Sequence, residues 1–321
     1  MIRVVVIGAR GYTGAELLPL LYRHPEFEVV AVGSGRAAGQ PVSAHVNGME
    51  GSDLVFSDIR PVSVGKFDAD ACVLALPNGK AAGYVDVLDS RKPNTVIVDL
   101  SADHRFDPAW AYGQPERFGS ELIGATRISN PGCYATGAQL ALAPLLEFLV
   151  GTPVVFGVSG YSGAGKNPSR KNDPAVLDEN LLPYSLVDHI HEREVSHHIG
   201  RGIRLLPHVA SFFRGISLTV AAELREVQTE AELLARFREF YAGFPLVAVR
   251  PGVPEVKQVR GSHRVILGGF AVSETNPRRV SLVAVLDNLL KGAATQAVQN
   301  LNIAFGLDAI TGLDPRLGEQ V

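Results

Sequence analysis

Residues 2–14, IRVVVIGARGYTG, decide the fold of the first part of the chain. Ile2 to Ile7 is a mostly apolar run of strand length, with Arg3 as its one charged residue, and Gly8, Gly11 and Gly14 follow it in the spacing GxxGxxG. Tyr12 to Arg23 then has the apolar periodicity of a helix. Glycines at such a turn let a pyrophosphate approach backbone N–H groups at the positive end of a helix. The stretch predicts a dinucleotide-binding turn, and a purely structural tight turn is the alternative.

Strand and helix patterns continue to alternate after this turn. Glu28 to Gly33, Ala71 to Leu76 and Thr95 to Leu100 are short apolar runs typical of buried strands, and Lys80 to Leu88 has helical spacing. Such alternation indicates a parallel sheet covered on both faces, with ligands at the carboxyl ends of its strands. The predicted class is therefore α/β, with a doubly wound Rossmann-type domain.

A second domain is predicted beyond the first third of the chain. Gly215 to Glu223 and Arg264 to Val272 resemble longer, alternating strands, and Thr229 to Tyr241 is a strong helical pattern. The run from Ser281 merges into a helical pattern that ends near Phe305. We predict a nucleotide-binding domain made of residues 1–132 plus 287–321, to which the last helix returns, and an α+β domain with a mainly antiparallel sheet at residues 133–286.

Composition limits the classes of partner. The 30 Lys and Arg residues against 33 Asp and Glu give a net charge of −3 without a basic block, so neither nucleic acid nor an anionic membrane is expected. No secretion signal is visible, and the apolar runs are too short to span a bilayer. The two cysteines, Cys72 and Cys133, fit a reducing compartment. We expect a cytoplasmic protein that acts on a small soluble ligand.

The end of the second predicted strand bears on the choice of dinucleotide. An NAD-preferring site places Asp or Glu there, whereas this chain has Ser34 and Arg36 in the run AVGSGRAAGQ. Arginine offers a fixed fork of donors that suits a 2′-phosphate. NADP is therefore the predicted cofactor, and a polar loop with a solvated arginine is the alternative.

Cys133 is the candidate nucleophile. It follows Pro131 and Gly132 and precedes a helical pattern from Ala135 to Leu149, so its thiol is expected in the first turn of a helix. The N-terminus of a helix favours the thiolate, and its N–H groups, with Asn130 nearby, can stabilise an oxyanion. A cysteine that merely packs is the alternative reading, and it is the one that Cys72 fits within the apolar strand ACVLAL.

The candidate bases for this thiol are the histidines of SLVDHIHEREVSHHI and of the later segment PHVASFFRG. The cluster lacks a second ligand motif with recognisable spacing, so no metal is predicted. The preceding loop, VSGYSGAGKNPSRKND, has small and hydroxylated residues suited to a polar pocket but lacks the P-loop pattern. The candidates here are His189, His191, His197, His198 and His208.

These motifs together resemble the N-acetyl-gamma-glutamyl-phosphate reductase family, which is related to aspartate-semialdehyde dehydrogenase. GARGYTGAEL, LALPNG, DLSADHRF, NPGCYATGAQLALAPL, GVSGYSGAG, HIHEREVS and PHVASFFRGI occur in family order over nearly the whole chain. The family usually has HRHxPEI and SGAGRK where this chain has HIHEREV and SGAGKNPSRKND. Both departures are similar to the branch of the fungal mitochondrial enzyme.

The resemblance implies roles for individual residues. Cys133 corresponds to the nucleophile and His191 to the acid/base, and the family fold is an NADP-binding domain plus a catalytic and dimerisation domain, assembled as a dimer or tetramer. The implied substrate-binding residues are Arg105, Asn130, Ser159, Gly160, Ser162, His189 and His208. The implied cofactor-binding residues are Gly8, Arg10, Gly11, Tyr12, Thr13, Gly14, Ser34, Arg36, Pro77, Asn78 and Gly79.

The implied activity is the NADPH-dependent reduction of N-acetyl-glutamyl 5-phosphate to its semialdehyde, through a thioester on Cys133, in arginine biosynthesis. Two alternatives stay open at this stage. Aspartyl phosphate or N-acetyl-aminoadipyl phosphate would undergo the same chemistry, because one methylene changes binding by only about 1–3 kcal/mol. A non-catalytic NADP-binding regulator on the same fold is the other, because fold alone does not fix function.

Overall fold

A computed structural model of the chain describes residues 1–314. Contacts within it divide the chain into two compact units, one formed by Met1–Gly132 with Ala293–Asp314 and the other by Cys133–Gly292. Residues 315–321, which the sequence assigned to the nucleotide-binding domain, lie outside the described residues. Within the described part, no helix combines the length and the apolar character that crossing a membrane requires.

The first unit is built on a parallel sheet. Its strands are β1 (Ile2–Ile7), β2 (Phe27–Gly33), β3 (Phe56–Ser57), β4 (Ala71–Leu74), β5 (Val96–Asp99), β6 (Ala111–Tyr112) and β7 (Arg127–Ser129). Their order is β3-β2-β1-β4-β5-β7-β6, and every pair of neighbours is parallel. The helices between them are α1 (Tyr12–Tyr22), α2 (Pro61–Val64), α3 (Ala82–Arg91) and α4 (Pro115–Leu122). The predicted doubly wound class is confirmed.

Burial explains why the second half of the first strand is apolar. Val4, Val5, Val6 and Ile7 are at most 2% exposed, as expected of a central parallel strand that is covered on both faces. The N–H of Gly8 donates to the carbonyl oxygen of Gly33 at 2.9 Å, so β1 and β2 end at the same edge of the sheet. This edge therefore collects the loops on which a ligand site depends.

The second unit contains a mixed sheet. Its strands are β8 (Leu149–Gly160), β9 (Leu181–Pro183), β10 (Arg204–Ala210), β11 (Ile216–Leu224), β12 (Val247–Val249), β13 (Val265–Val272) and β14 (Arg279–Leu286). Their order is β12-β13-β14-β11-β8-β10-β9. The β8–β10 and β12–β13 pairs are parallel and the remaining pairs are antiparallel, so the sheet is mainly antiparallel, as predicted. Its helices are α5 (Cys133–Leu142), α6 (Pro174–Leu177), α7 (Ile190–Ile199) and α8 (Glu230–Phe240).

Helix α5 is the centre of the second unit. All of its residues after Cys133 are buried, and it packs on β11, β14 and α7. The sequence predicted that this helix runs to Leu149, but it ends at Leu142 and a 3₁₀ turn follows at Ala143–Leu145. Pro144 explains the difference, because proline lacks an N–H and clashes with the preceding turn of an α-helix. Leu149 instead begins β8.

The chain crosses back to the first unit through a π-helical turn at Leu290–Ala294, which leads into α9 (Thr295–Ala304). Helix α9 packs against α1, α4 and β5 of the first unit. The strand-like run from Ser281 to Leu290 is shorter in the structure, because β14 ends at Leu286. The buried Asp287 follows, and its carboxylate accepts hydrogen bonds from the N–H groups of Leu289 and Leu290.

Candidate active site

The turn between β1 and α1 fits a pyrophosphate. Gly8 has a positive φ of 84°, and a Cβ there would lie 2.2 Å from the carbonyl oxygen of Ala75. A Cβ on Gly14 would lie 2.6 Å from the Cα of Ala9. Helix α1 begins with Gly11 at its N-cap, no side chain caps it, and its first turn carries no acidic residue. The N–H groups at the positive, N-terminal end of α1 can therefore bind an anion.

A second loop at the same edge of the first unit carries Pro77, Asn78 and Gly79. The carboxylate of Asp103 accepts hydrogen bonds from the N–H of Gly79 at 2.7 and 2.9 Å, and the side-chain oxygen of Asn78 accepts one from the N–H of Ala102 at 3.0 Å. Asp103 thus fixes the turn that was predicted to contact the cofactor. Sequence reasoning assigned no role to Asp103, although it lies within the SADHRF motif.

The same motif contains a buried carboxylate that orders its own loop. Asp99 is fully buried at the end of β5 and accepts hydrogen bonds from the hydroxyl of Ser101 and from Nδ1 of His104, both at 2.7 Å. The His104 ring stacks on Trp110 with 4.0 Å between ring centroids. These contacts give Arg105, the next residue, a rigid support.

Arg105 and Asn130 lie in the first unit, where both have structural partners. The Arg105 guanidinium donates to the carbonyl oxygens of Asn130 at 2.9 Å and Leu100 at 3.1 Å. The Asn130 amide donates to the carbonyl oxygen of Ala293 at 3.3 Å, and its side-chain oxygen accepts from Asn300 at 2.9 Å. Both side chains therefore hold the end of β7 to neighbouring loops and to α9. Their contact with substrate stays a prediction.

In the second unit, Cys133 is the first residue of α5, as expected. Its neighbour Tyr134 is 2% exposed, and the Tyr134 hydroxyl donates to the carbonyl oxygen of His208 at 2.7 Å. Burial raises the pKa of Tyr134 well above its usual value, and the charges of Tyr184 and Cys133 raise it further. Burial, followed by the charge of Cys133, likewise raises the pKa of Tyr184. Two protonated tyrosines therefore lie close to the nucleophile.

The two histidines of the H-x-H motif lie beside these tyrosines. The His191 ring centroid is 6.0 Å from that of Tyr134 and 4.9 Å from that of His189. His189 caps α7, and its Nδ1 accepts a hydrogen bond from the backbone N–H of His191 at 3.1 Å. Burial, followed by the charge of Lys171, lowers the pKa of His189 to about 4. Neutral His189 thus carries its proton on Nε2, as a hydrogen-bond donor.

The glycine-rich loop follows β8 and contributes hydroxyl groups. Ser159 and Ser162 are each 2% exposed. The Ser159 hydroxyl donates to the carbonyl oxygen of Gly160 at 2.9 Å, and the Ser162 hydroxyl accepts from the amide of Asn288 at 2.9 Å. A hydrogen bond between the Ser159 and Tyr134 side chains offsets part of the rise in the pKa of Tyr134. The loop therefore adjoins Tyr134 and, through it, the nucleophile.

The His208 side chain lies on the opposite face of the sheet from Tyr134. Its contact with substrate stays a prediction. His208 pairs with Val158 in the parallel β8–β10 ladder, and its ring packs against Phe156 with 4.6 Å between centroids and an interplanar angle of 45°. Gly157, whose Cβ would lie 2.5 Å from the Tyr134 ring, faces the opposite side because side chains alternate along a strand. Only the backbone carbonyl of His208 reaches Tyr134.

The second unit therefore brings together a cysteine at a helix start, two histidines, the buried Tyr134 and the partly buried Tyr184, the set of groups that nucleophilic catalysis with proton transfer requires. Among the residues that the structure describes, no cluster of three or more His, Cys, Asp or Glu could hold a metal ion. Sequence reasoning did not identify Tyr134 and Tyr184, because neither residue type marks a catalytic site on its own.

Two protein-family models match the chain. The model described as semialdehyde dehydrogenase, NAD binding domain, matches residues 3–125, and the model described as semialdehyde dehydrogenase, dimerisation domain, matches residues 133–288. Two bacterial N-acetyl-gamma-glutamyl-phosphate reductases match nearly end to end. The protein of Xanthomonas campestris pv. campestris (strain B100) is 51% identical over 96% of this chain and 97% of its own. That of Xylella fastidiosa (strain M23) is 51% identical over 96% and 94%.

Solved structures of aspartate semialdehyde dehydrogenases share the fold. Aspartate semialdehyde dehydrogenase II from Vibrio cholerae has a TM-score of 0.75 at 19% identity and covers 95% of this chain and 98% of its own. Aspartate semialdehyde dehydrogenase with NADP from Candida albicans has a TM-score of 0.73 at 15% identity and covers 95% and 99%. At these identities the likeness shows the fold alone. The predicted similarity to the fungal mitochondrial branch stays a prediction.

Proposed function

The chain belongs to the N-acetyl-gamma-glutamyl-phosphate reductase family, and we propose that it reduces N-acetyl-glutamyl 5-phosphate to N-acetyl-glutamate 5-semialdehyde and phosphate with NADPH, in arginine biosynthesis. The observation that carries the proposal is the position of Cys133 at the start of α5, with the rings of His189 and His191 grouped around its neighbour Tyr134. Membership of the family supports the choice of substrate, and the arrangement of these side chains supports the type of reaction.

The first step is acyl transfer to the protein. The Cys133 thiolate attacks the acyl carbonyl, a C–S bond forms, and the C–O bond to phosphate breaks as phosphate leaves. The position of Cys133 favours this step, because the N–H groups at the N-terminal end of α5 stabilise negative charge. The product is a thioester, which lacks the resonance stabilisation of a carboxylate and accepts hydride readily.

The second step is reduction of the thioester. When bound, the nicotinamide of NADPH supplies a hydride. His191 then protonates the oxyanion of the thiohemiacetal, whose collapse breaks the C–S bond and returns the thiol. Neutral His189, with its proton on Nε2, donates a hydrogen bond to the substrate without competing as the acid. We assign Ser159, Gly160 and Ser162 to substrate binding, a role that the family resemblance also implies for Arg105 and Asn130.

We assign cofactor binding to the first unit. The glycine turn of Gly8, Gly11 and Gly14 receives the pyrophosphate together with Arg10, Tyr12 and Thr13. Ser34 and Arg36 receive the 2′-phosphate, and the turn of Pro77, Asn78 and Gly79 lies along the nicotinamide ribose. The NAD binding family model over residues 3–125 supports this assignment.

The match of residues 133–288 to a dimerisation domain supports an oligomer. We propose a homodimer or a homotetramer that acts in the cytoplasm on a small acyl phosphate, without nucleic acid or a membrane. Cys72 is not a second nucleophile in this proposal: it is buried, and burial raises its pKa to about 12, so it stays a protonated thiol.

The test runs the reaction backwards, as phosphate-dependent reduction of NADP by N-acetyl-glutamate semialdehyde, with aspartate semialdehyde in parallel. The expected result is activity on the N-acetylated substrate, loss of turnover in Cys133→Ser with NADP binding retained, and activity retained in the matched control Cys72→Ala. Substantial turnover by Cys133→Ser would exclude the covalent route. Preference for aspartate semialdehyde would move the assignment to that substrate.

A further inference from the structure

The loop after β2 carries no Asp or Glu of its own, but the carboxylate of Asp58, which follows β3, lies beside this loop. Strand β3 runs parallel to β2, with Val32 paired to Phe56 and Gly33 to Ser57. The N–H of Ser34 donates to the carbonyl oxygen of Ser57 at 2.9 Å, so the loops after the two strands leave the sheet side by side. Asp58, which follows β3, therefore lies beside the Ser34 loop.

The contact between Asp58 and this loop is close. A Cβ on Gly35 would lie 3.0 Å from Oδ1 of Asp58. A carboxylate at this edge is the group that accepts a hydrogen bond from the ribose 2′-hydroxyl of NAD. The same carboxylate repels a 2′-phosphate, which carries negative charge of its own. Asp58 alone would therefore oppose the NADP preference that Ser34 and Arg36 indicate.

Arg60 lies against this carboxylate. Its Nε donates to Oδ2 of Asp58 at 2.9 Å, and its backbone N–H donates to the Ser63 hydroxyl at the start of α2. The side chains of Arg60 and Asp58 are 75% and 46% exposed, so the pair faces solvent at the same edge as the exposed Arg36. Because Arg60 contacts Asp58 through Nε, the N–H groups on its two terminal nitrogens can donate to a second anion.

We propose that Asp58 and Arg60 set the preference of this site for the 2′ group of the dinucleotide. Arg60 neutralises Asp58 and joins Arg36 in holding a 2′-phosphate. Without Arg60, the carboxylate repels the phosphate and favours a 2′-hydroxyl. This inference rests on the proposed use of a nicotinamide dinucleotide and deepens it, by naming the residues that select NADP over NAD.

The test is calorimetric titration of the full chain with two probes that differ in one group, 2′,5′-ADP and 5′-AMP. Arg60→Ala is expected to weaken 2′,5′-ADP binding about tenfold, the contribution of one hydrogen bond between charged groups, and to leave 5′-AMP binding within about twofold. The exposed Lys66→Ala removes the same charge nearby and serves as the control. The ratio of kcat/KM for NADPH to that for NADH is expected to fall in parallel in Arg60→Ala alone.

A second variant separates repulsion by Asp58 from direct contact by Arg60. In the double variant Asp58→Asn with Arg60→Ala, 2′,5′-ADP affinity is expected to recover by at least half of the lost factor on a logarithmic scale, because the repelling charge is gone. An unchanged ratio of the two probes in Arg60→Ala, or no recovery in the double variant, would overturn the inference. If the wild-type chain binds neither probe, the dinucleotide site itself fails and the proposed function falls with it.

Discussion

Gly292 is packed directly against Cys133. A Cβ on Gly292 would lie 2.8 Å from the Cβ of Cys133 and 3.3 Å from its Cα. Gly292 belongs to the π-helical turn at Leu290–Ala294, and its N–H donates to the carbonyl oxygen of Asp287 at 2.9 Å. Single π turns inside helices are rare and occur frequently at functional sites. This π turn packs against the backbone side of Cys133 and positions its thiol.

The turn has little freedom to yield, because Asp287 anchors it. The carboxylate of Asp287 is fully buried and accepts hydrogen bonds from the guanidinium of Arg214 at 2.6 and 3.1 Å. It also accepts one from the N–H of Gly261 at 2.8 Å. A side chain at position 292 must therefore displace Cys133 rather than the turn.

Gly292→Ala is expected to lower kcat/KM of the reverse reaction by about 10- to 100-fold, because a shift of about 1 Å in a reacting group costs up to 10²-fold. The rate of Cys133 alkylation by iodoacetamide should change as well, which a loss of substrate binding alone would not cause. Gly243→Ala serves as the control, since a Cβ there meets no atom within 4 Å. Equal activity in the two variants would show that Gly292 has no positioning role.

The fold was predictable where local sequence and burial agree. Val4 to Ile7 of β1 are apolar because both faces of the strand are buried there, and the glycine turn after it has a recognisable spacing. The start of α5 was also predictable, since Cys133 follows Pro131 and Gly132 and precedes an apolar helical pattern. These signals lie within short stretches of the chain.

The remainder of the site depends on pairings between distant segments. Strand β3 is only two residues long, so its pairing with β2, rather than any pattern of its own, brings Asp58 to the edge of the sheet. The side of the sheet on which His208 lies is set by register, which one residue of slip would reverse. The side-chain partner of Asn130 is Asn300, 170 residues later in the chain. None of these relationships leaves a local sequence signal.

His191 is expected to be the acid of the second step. His191→Asn should lower kcat by about 10²- to 10⁴-fold, the usual contribution of a positioned acid or base, with a smaller effect on KM. The exposed His197→Asn on the same helix is the matched control and should leave kcat near the wild-type value. The pH profile of kcat supplies a second measurement, because loss of the acid should remove one of its limbs. Retention of both limbs in His191→Asn would assign the proton to another group.

Asp103 is expected to support cofactor binding by fixing the turn at Gly79. Its carboxylate accepts two contacts from the N–H of Gly79 and one, at 3.4 Å, from the N–H of Ala81. Asp103→Ala should weaken NADPH binding about tenfold, since a hydrogen bond to a charged group contributes about 1.5–3 kcal/mol. Fluorescence titration of NADPH would measure this, with the exposed Asp53→Ala as the charge-matched control. Equal dissociation constants in the two variants would exclude the role.

His189 predicts how stability depends on pH. Burial, followed by the charge of Lys171, lowers its pKa to about 4 from 6.5. The unfolded chain therefore takes up the proton first as the solution is acidified. The stability that neutral His189 contributes is fully present above pH 6.5 and is lost progressively as the pH falls towards 4. Acid should thus lower the melting temperature of the wild type by more than its carboxylates alone account for.

His189→Asn isolates this contribution. Asparagine is among the best N-cap residues, so its side-chain oxygen keeps the hydrogen bond from the His191 N–H that caps α7. It carries no titrating group, so the variant should lose less in melting temperature than the wild type between pH 7.5 and pH 4.5. The exposed His197→Asn on the same helix is the matched control for the substitution and should follow the wild type. Parallel decreases in the wild type and His189→Asn would contradict burial of a neutral His189, and with it the assignment of His189 as a neutral hydrogen-bond donor in the site.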